Sequence, residues 1–117
     1  MFIVIATLIP KPEKRDEYLR LIQEEVAIAL QHEPGIVQFN ILADVNDPTK
    51  FYALEIYESQ AMYDHHHAQP WFQKFIATTK DWYAVRGFEI RTQSLFPADN
   101  VYTHQDRKGL PKPVFKP

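Results

Sequence analysis

The chain contains no cysteine and only three glycines among its 117 residues. Without cysteine it has no disulfide framework, no thiolate nucleophile and no cysteine-bound metal site. Each glycine stands at a break between patterned segments, so there is no Gly-rich phosphate loop and no Gly-x-Ser-x-Gly nucleophile elbow. Flavin, nicotinamide and ATP chemistry therefore have no support in the sequence, and we expect neither a cofactor nor a metal ion.

An excess of positive charge and a long apolar run are also missing. The formal net charge is -2, which predicts no binding to nucleic acid or to an anionic membrane. The apolar N-terminal stretch, residues 1–9, is far shorter than the ~20 residues needed to span a bilayer. It also lacks the basic region and cleavage site of an export signal. We therefore expect a cytoplasmic protein, which the lack of cysteine also permits.

What the sequence does contain is typical of one globular domain: 45% of its residues are hydrophobic and 14% are aromatic. Alternating or β-branched segments predict strands, and apolar residues at three- and four-residue steps predict helices. The predicted strands are residues 2–9, 36–43, 51–57 and 88–96, and the predicted helices are residues 12–32, 60–68 and 70–85. This βαββαβ order predicts a ferredoxin-like α+β fold, with one antiparallel sheet and helices on one face.

The other face of this sheet is also predicted to be apolar. The residues assigned to it are Phe2, Val4, Ile36, Leu42, Tyr52, Leu54 and Ile56. Soluble proteins rarely expose such a surface, so we expect a homodimer whose sheets pack face to face.

The composition changes after residue 96. Residues 97–117 contain four of the nine prolines and no helical or strand period. We therefore divide the chain into a folded domain, residues 1–96, and an extended Pro-rich arm, residues 97–117. The arm either docks on the partner through its spaced apolar side chains or is a flexible tail.

Glu55 is a carboxylate within an apolar strand. Strand alternation places it on the face opposite Leu54, between the sheet and the helices. One interpretation is a salt bridge to Arg86, to Arg91 or to an arginine of the partner. The other is an acid or base whose pKa is raised by burial.

Three consecutive histidines, residues 65–67, resemble a metal cluster. Consecutive helical side chains point about 100° apart, so they cannot converge on one ion, and only Asp64 with His67 has a plausible ligand spacing. We expect most of these histidines to lie in solvent. His66 is the exception, because it shares a helix face with Tyr63.

The order of several motifs makes the sequence recognisable. Glu-Pro-Gly at residues 33–35 is followed by a strand, by D-x-x-D-P at residues 44–48 and by F-x-x-x-E-x-Y-E at residues 51–58. A short helix carrying His66 then precedes a Pro-Trp-Phe step at residues 70–72. This order resembles the antibiotic biosynthesis monooxygenase family over about residues 1–96. The resemblance implies a dimeric α+β barrel.

The resemblance also implies a pocket between helices and sheet, with His66 facing it and aromatic residues at Tyr57 and Tyr63. The sequence departs from the family pattern at Trp71, where a histidine is common, and at Ala53, where some members have asparagine. We assign His66 as base or proton shuttle, Tyr57 and Tyr63 as orienting donors, and Glu55 as a further catalytic candidate. The candidate substrate-binding residues are Trp71, Phe75, Trp82, Phe39 and Ala53.

The function implied by the resemblance is a cofactor-independent monooxygenase acting on a small quinol, phenol or polyketide-like aromatic. Such chemistry needs an apolar pocket and a base that makes an electron-rich phenolate or enolate. The alternatives are a dimer that binds a small aromatic molecule without turning it over, and an isomerase or degrading enzyme for a small carbonyl compound.

Overall fold

The computed structural model describes residues 1–96, so the predicted arm, residues 97–117, lies outside the described part of the chain. The elements within it follow the predicted βαββαβ order. They are β1 (Phe2–Leu8), a short 3-10 turn (Pro12–Lys14), α1 (Arg15–His32), β2 (Ile36–Ala43), β3 (Phe51–Tyr57), α2 (Gln60–His67), α3 (Pro70–Thr79) and β4 (Glu89–Gln93).

The last helix ends six residues earlier than predicted, at Thr79 rather than at residue 85. The reason is backbone pairing between the segment that follows α3 and the segment that follows β1. Lys11 N–H donates to the carbonyl of Trp82 at 2.7 Å, and Ala84 N–H donates to that of Ile9 at 2.9 Å. These bonds pair residues 82–84 with the chain around Pro10 and keep them out of the helix, although their apolar side chains continue the helical pattern.

The four strands form one antiparallel sheet in the order β2-β3-β1-β4. The central strands β1 and β3 pair with each other, and β4 and β2 lie at the two edges. This is the ferredoxin-like arrangement. Val4 lies opposite Glu55 on one side and opposite Arg91 on the other. Because opposite residues share a face, the helix-covered face carries Glu55 together with residues of β1 and β4.

Three residues predicted for the uncovered face lie on the helix-covered face instead. Phe2 and Ile36 both lie opposite Tyr57, and Val4 lies opposite Glu55. The error for β1 arose because this strand is apolar on both faces, so its pattern does not reveal which face the helices cover. For Ile36 the reason is a register shift between Ile36 and Gln38, which interrupts the alternation of β2.

The uncovered face is nevertheless apolar. Ile5 and Ile90 are 44% and 50% exposed there, and they lie opposite each other on β1 and β4. Leu54 lies opposite Ile5 on the other side, so a row of aliphatic side chains crosses three strands.

Two apolar clusters fill the helix-covered side. The first contains Phe2, Val4, Tyr57 and Tyr63, and the second contains Tyr18, Ile22, Val26 and Phe75. Within residues 1–96, no helix is both long enough and apolar enough to cross a membrane.

Candidate active site

A cavity of about 140 Å³ lies between the sheet and the helices. Most of its wall is apolar, and its titratable side chains are Glu25, Glu55, His67, Tyr83 and Glu89. The apolar part of the wall is formed by Ala6, Leu8, Ile22, Phe39, Ala53, Phe72, Phe75 and Ile76. It adjoins a more open basin of about 510 Å³, whose wall includes Ala6, Leu8, Tyr83 and Glu89 as well. The cavity and the basin therefore share part of their walls near the end of β1.

Glu55 enters the cavity from the centre of β3. It is 8% exposed, and its Oε1 accepts a 2.6 Å hydrogen bond from the Tyr57 hydroxyl. Burial raises the pKa of Glu55 to about 7, while the hydrogen bond from Tyr57 acts in the opposite direction. No arginine within residues 1–96 forms an ion pair with Glu55, so the predicted salt bridge to Arg86 or Arg91 is wrong.

Glu25 enters the same cavity from α1 and is 5% exposed. Burial raises its pKa to about 8, and the nearby charges of Glu55 and Glu33 act in the same direction. The cavity therefore brings together two carboxyl groups that both titrate near neutral pH. Such groups suit general acid–base catalysis, which is most efficient when the pKa lies near the working pH.

His66 is buried behind this wall, with an exposed fraction of 1%. Its Nδ1 lies 3.0 and 2.9 Å from the two carboxylate oxygens of Glu33. The Trp71 indole N–H donates to Glu33 at 2.8 Å, so this carboxylate joins the histidine and the tryptophan. On the other side of the ring, Nε2 lies 3.3 Å from Oε1 of Glu25. The geometry there is not that of a hydrogen bond, so neither of these two atoms has a hydrogen-bond partner.

His67 lines the cavity, whereas the sequence placed it in solvent. Its ring stacks at 4.4 Å from Phe72 and at 4.2 Å from Tyr63, measured between ring centroids. Partial burial lowers its pKa, which favours the neutral imidazole. His65 is exposed, as predicted, and accepts a hydrogen bond from Gln69 through its backbone carbonyl.

Only some of the other predicted site residues line the cavity. Ala53, Phe39 and Phe75 line the cavity together with Glu55. Tyr57, Tyr63 and His66 do not line it: Tyr57 holds Glu55, and the Tyr63 hydroxyl donates to Glu89. Trp71 lines a separate groove between α1 and α3, and the ring of Trp82 lies under the Lys14 ammonium at 4.5 Å.

Sequence reasoning missed Glu25 and Glu33. A signal for Glu25 was available, because it falls three residues after Ile22 and one before Val26, within the apolar stripe of α1. A carboxylate in that stripe is as unusual as Glu55 in its strand. Glu33 was noticed only as part of the Glu-Pro-Gly motif. Among residues 1–96, no three or more histidine or carboxylate side chains are grouped so as to hold a metal ion.

The first comparison with known proteins concerns the sequence family. The family model for antibiotic biosynthesis monooxygenase matches residues 1–78. The chain belongs to this family. The match includes β1, β2 and β3, all the helices named above except the final residue of α3, and the cavity residues Glu25 and Glu55 but not Glu89. No curated protein matches the chain significantly in sequence.

Solved structures of the family have the same fold. A protein from Nitrosomonas europaea, provisionally assigned as an antibiotic biosynthesis monooxygenase, superposes with a TM-score of 0.77 at 23% identity, over 82% of this chain and 100% of its own. One from Bacteroides thetaiotaomicron, with the same provisional assignment, gives 0.75 at 29% identity, over 82% and 90%. A third, from Caulobacter crescentus, gives 0.76 at 21% identity, over 80% and 89%. The first and third likenesses establish the ferredoxin-like fold of this chain and nothing more.

Proposed function

We propose that this protein is a cofactor-independent monooxygenase that acts on a small phenol or quinol. The observation that carries the proposal is the cavity of about 140 Å³, which combines a mostly apolar wall with two carboxyl groups of raised pKa. Membership of the monooxygenase family supports the reaction class.

The size of the cavity favours a single aromatic ring. An apolar protein cavity of about 150 Å³ holds one benzene molecule. A larger polyketide-like aromatic would extend into the adjoining basin of about 510 Å³. The aromatic and aliphatic side chains of the wall, including Phe39, Phe72 and Phe75, would cover the faces of the ring.

In this proposal Glu55 is the base. Its ionised form accepts the hydroxyl proton of the substrate and leaves a phenolate, which is rich enough in electrons to reduce dioxygen. The Tyr57 hydroxyl keeps Oε1 of Glu55 in place through its 2.6 Å hydrogen bond. His66, which lies behind the cavity wall, acts as a proton shuttle and not as the group that touches the substrate.

The reaction balances without a redox cofactor. One hydroquinone and one dioxygen give one hydroxybenzoquinone and one water. The substrate supplies all four electrons, a ring carbon forms the new C–O bond, and the O–O bond breaks to release one oxygen atom as water. Two hydrogen atoms of the substrate balance those of the water formed, so the reaction needs a base that removes a proton but no external reductant.

An oxygen-consumption screen tests this function. Purified protein is supplied with hydroquinones, simple phenols and anthrone-like compounds, with no cofactor added. We expect consumption of one dioxygen per molecule of product with a single-ring quinol, and incorporation of one labelled oxygen atom from ¹⁸O₂. Glu55→Gln should lower the rate by about 100-fold or more, since it removes the base.

Two further variants separate the site from its surroundings. His66→Ala should lower the rate by at least about ten-fold, because it removes the shuttle. His65→Ala, one residue away and exposed, should match the wild type. Binding of these aromatics without any oxygen uptake would contradict the proposed function and would favour a ligand-binding dimer.

A further inference from the structure

Glu25 lies between two separate spaces. It lines the cavity of about 140 Å³ on one side. On the other it lines a surface groove of about 150 Å³ between α1 and α3, together with Glu24, Trp71 and Lys74. A proton on this carboxyl can therefore be exchanged with either space, although the residue itself is only 5% exposed.

His66 is positioned to exchange a proton with Glu25. Because Glu33 accepts the hydrogen bond of Nδ1–H, the lone pair of the neutral ring is at Nε2. That atom lies 3.3 Å from Oε1 of Glu25, and neither atom is engaged in a hydrogen bond. A small rotation of either side chain would give these two atoms the geometry of a hydrogen bond. Buried polar atoms are normally hydrogen-bonded, so this contact between two atoms that form no hydrogen bond needs an explanation.

The residues that hold His66 in place also extend to the groove. Trp71 is part of the groove wall, and its indole N–H donates to Glu33 at 2.8 Å. Glu33 is 3% exposed and fixes the ring of His66 through both carboxylate oxygens. The imidazole is therefore held in one orientation, as in carboxylate–histidine pairs that move protons.

We propose that Glu25 carries the substrate proton from Glu55 to the groove between α1 and α3, with His66 as the group that exchanges a proton with Glu25 and with Glu33 and Trp71 as positioning residues. This inference rests on the proposed function, because it requires Glu55 to remove a proton from a phenol in the cavity. Glu33 and Glu55 act on the charge of Glu25, His66 lies in contact with it, and Glu25 in turn acts on Tyr18 and Tyr57. With a pKa of about 8, Glu25 is able to take up and release a proton near neutral pH.

The probe for the experiment is para-nitrophenol, a single-ring phenol whose phenolate absorbs at a longer wavelength than the neutral form. Its nitro group disfavours oxidation, so proton transfer of the bound phenol is observed apart from oxygen chemistry. After a rapid pH jump, the absorbance follows ionisation of the bound phenol. We expect Glu25→Gln to slow this relaxation by at least about ten-fold.

Added imidazole or formate should restore the rate in Glu25→Gln, since a small base in the groove can replace the missing carboxyl. Glu33→Gln should slow the relaxation too. The matched control is Glu24→Gln, which changes the adjacent exposed carboxyl of the same groove and should leave the rate unchanged. Should Glu25→Gln fail to fold, as judged by circular dichroism, Glu25→Asp provides the test through an intermediate rate.

The outcomes separate this inference from the proposed function. If para-nitrophenol binds and ionises as fast in Glu25→Gln as in the wild type, proton transfer through Glu25 is refuted and the phenol site stands. A slowed rate that imidazole and formate do not restore also refutes this proton transfer, since it indicates a structural effect. If the wild type does not bind para-nitrophenol, the phenol site and the proton path fall together.

Discussion

At the scale of single residues, the hydrogen bond from Tyr57 opposes the effect of burial on Glu55. Burial favours the neutral carboxyl, whereas a hydroxyl that donates to Oε1 at 2.6 Å favours the carboxylate. The balance leaves the pKa of Glu55 at about 7, so the ionised base is present at neutral pH. In the proposed reaction, Tyr57 acts through the protonation state of its neighbour.

Replacing this tyrosine should shift the pH dependence of the reaction. In Tyr57→Phe the ring remains and the hydrogen bond is lost, so the pKa of Glu55 should rise above about 7. The acidic limb of the rate profile, where Glu55 becomes ionised, should then move to higher pH. The profile of oxygen consumption between pH 5 and 10 measures this shift. An unchanged limb with a lower plateau would mean that Tyr57 has only a packing role.

The raised pKa of Glu25 also makes the stability of the fold depend on pH. Its pKa is raised in the folded state from 4.5 to about 8, so the folded protein favours the neutral carboxyl. This stabilisation is fully present below pH 4.5 and is lost as the pH rises through about 8, because the unfolded chain releases this proton more easily. Glu25→Gln mimics the neutral form and has no proton to release.

We expect the free energy of unfolding to fall between pH 5 and pH 8 by on the order of 1–3 kcal/mol more in the wild type than in Glu25→Gln. Urea denaturation of both proteins at the two pH values measures this difference. The lowered pKa of His67 acts in the opposite direction over part of this range, but it is common to both proteins and cancels in the comparison. An equal fall in the free energy of unfolding in the two proteins would contradict the raised pKa of Glu25.

At the scale of elements, the segment between α3 and β4 depends on close contact with β1. A Cβ atom on Gly87 would lie 2.3 Å from the backbone carbonyl oxygen of Thr7. Backbone bonds fix this approach, since Thr7 N–H donates to Phe88 O at 2.9 Å and Phe88 N–H donates to the Thr7 hydroxyl at 3.1 Å. The glycine therefore lets the segment lie against the strand that forms part of the cavity wall.

We expect Gly87→Ala to destabilise the fold by about 1–3 kcal/mol, because the carbonyl of a central strand cannot move aside. Thermal unfolding of the variant and the wild type measures the difference. An unchanged midpoint temperature would contradict the close contact between Gly87 and Thr7.

At the scale of the whole molecule, the sheet face that no helix of residues 1–96 covers is apolar, which favours a partner. Its row of Ile90, Ile5 and Leu54 crosses three strands, and Leu42 on the edge strand is 42% exposed. Burial of apolar area is worth about 25 cal/mol per Å², so two such faces gain by packing together. We therefore retain the homodimer as a proposal for this chain.

Leu54→Asp should prevent dimer formation, because it places a charge at the centre of the proposed interface. Val45→Asp is the matched control, since Val45 is 96% exposed in the loop between β2 and β3. Sedimentation at micromolar concentration should show a monomer for the first variant and a dimer for the second and for the wild type. A monomeric wild type would exclude the face-to-face dimer.

The sequence by itself determined the order of elements and the placement of Glu55. Period-two alternation in β3 assigns Glu55 to the face opposite Leu54, and this local property survives folding. Helical spacing likewise placed His66 apart from His65, and the structure confirms that His66 is buried and His65 exposed. These predictions succeeded because they depend only on neighbours within one element.

Tertiary structure decided what those residues contact. The carboxylate of Glu33 reaches His66 across 33 positions of sequence, and Glu25 meets His66 from α1. Tertiary packing also decided which face of β1 the helices cover and where α3 ends. The same packing turns His67 toward the cavity. Each of these outcomes depends on how separate elements pack, and a local pattern carries no information about the element that will lie opposite it.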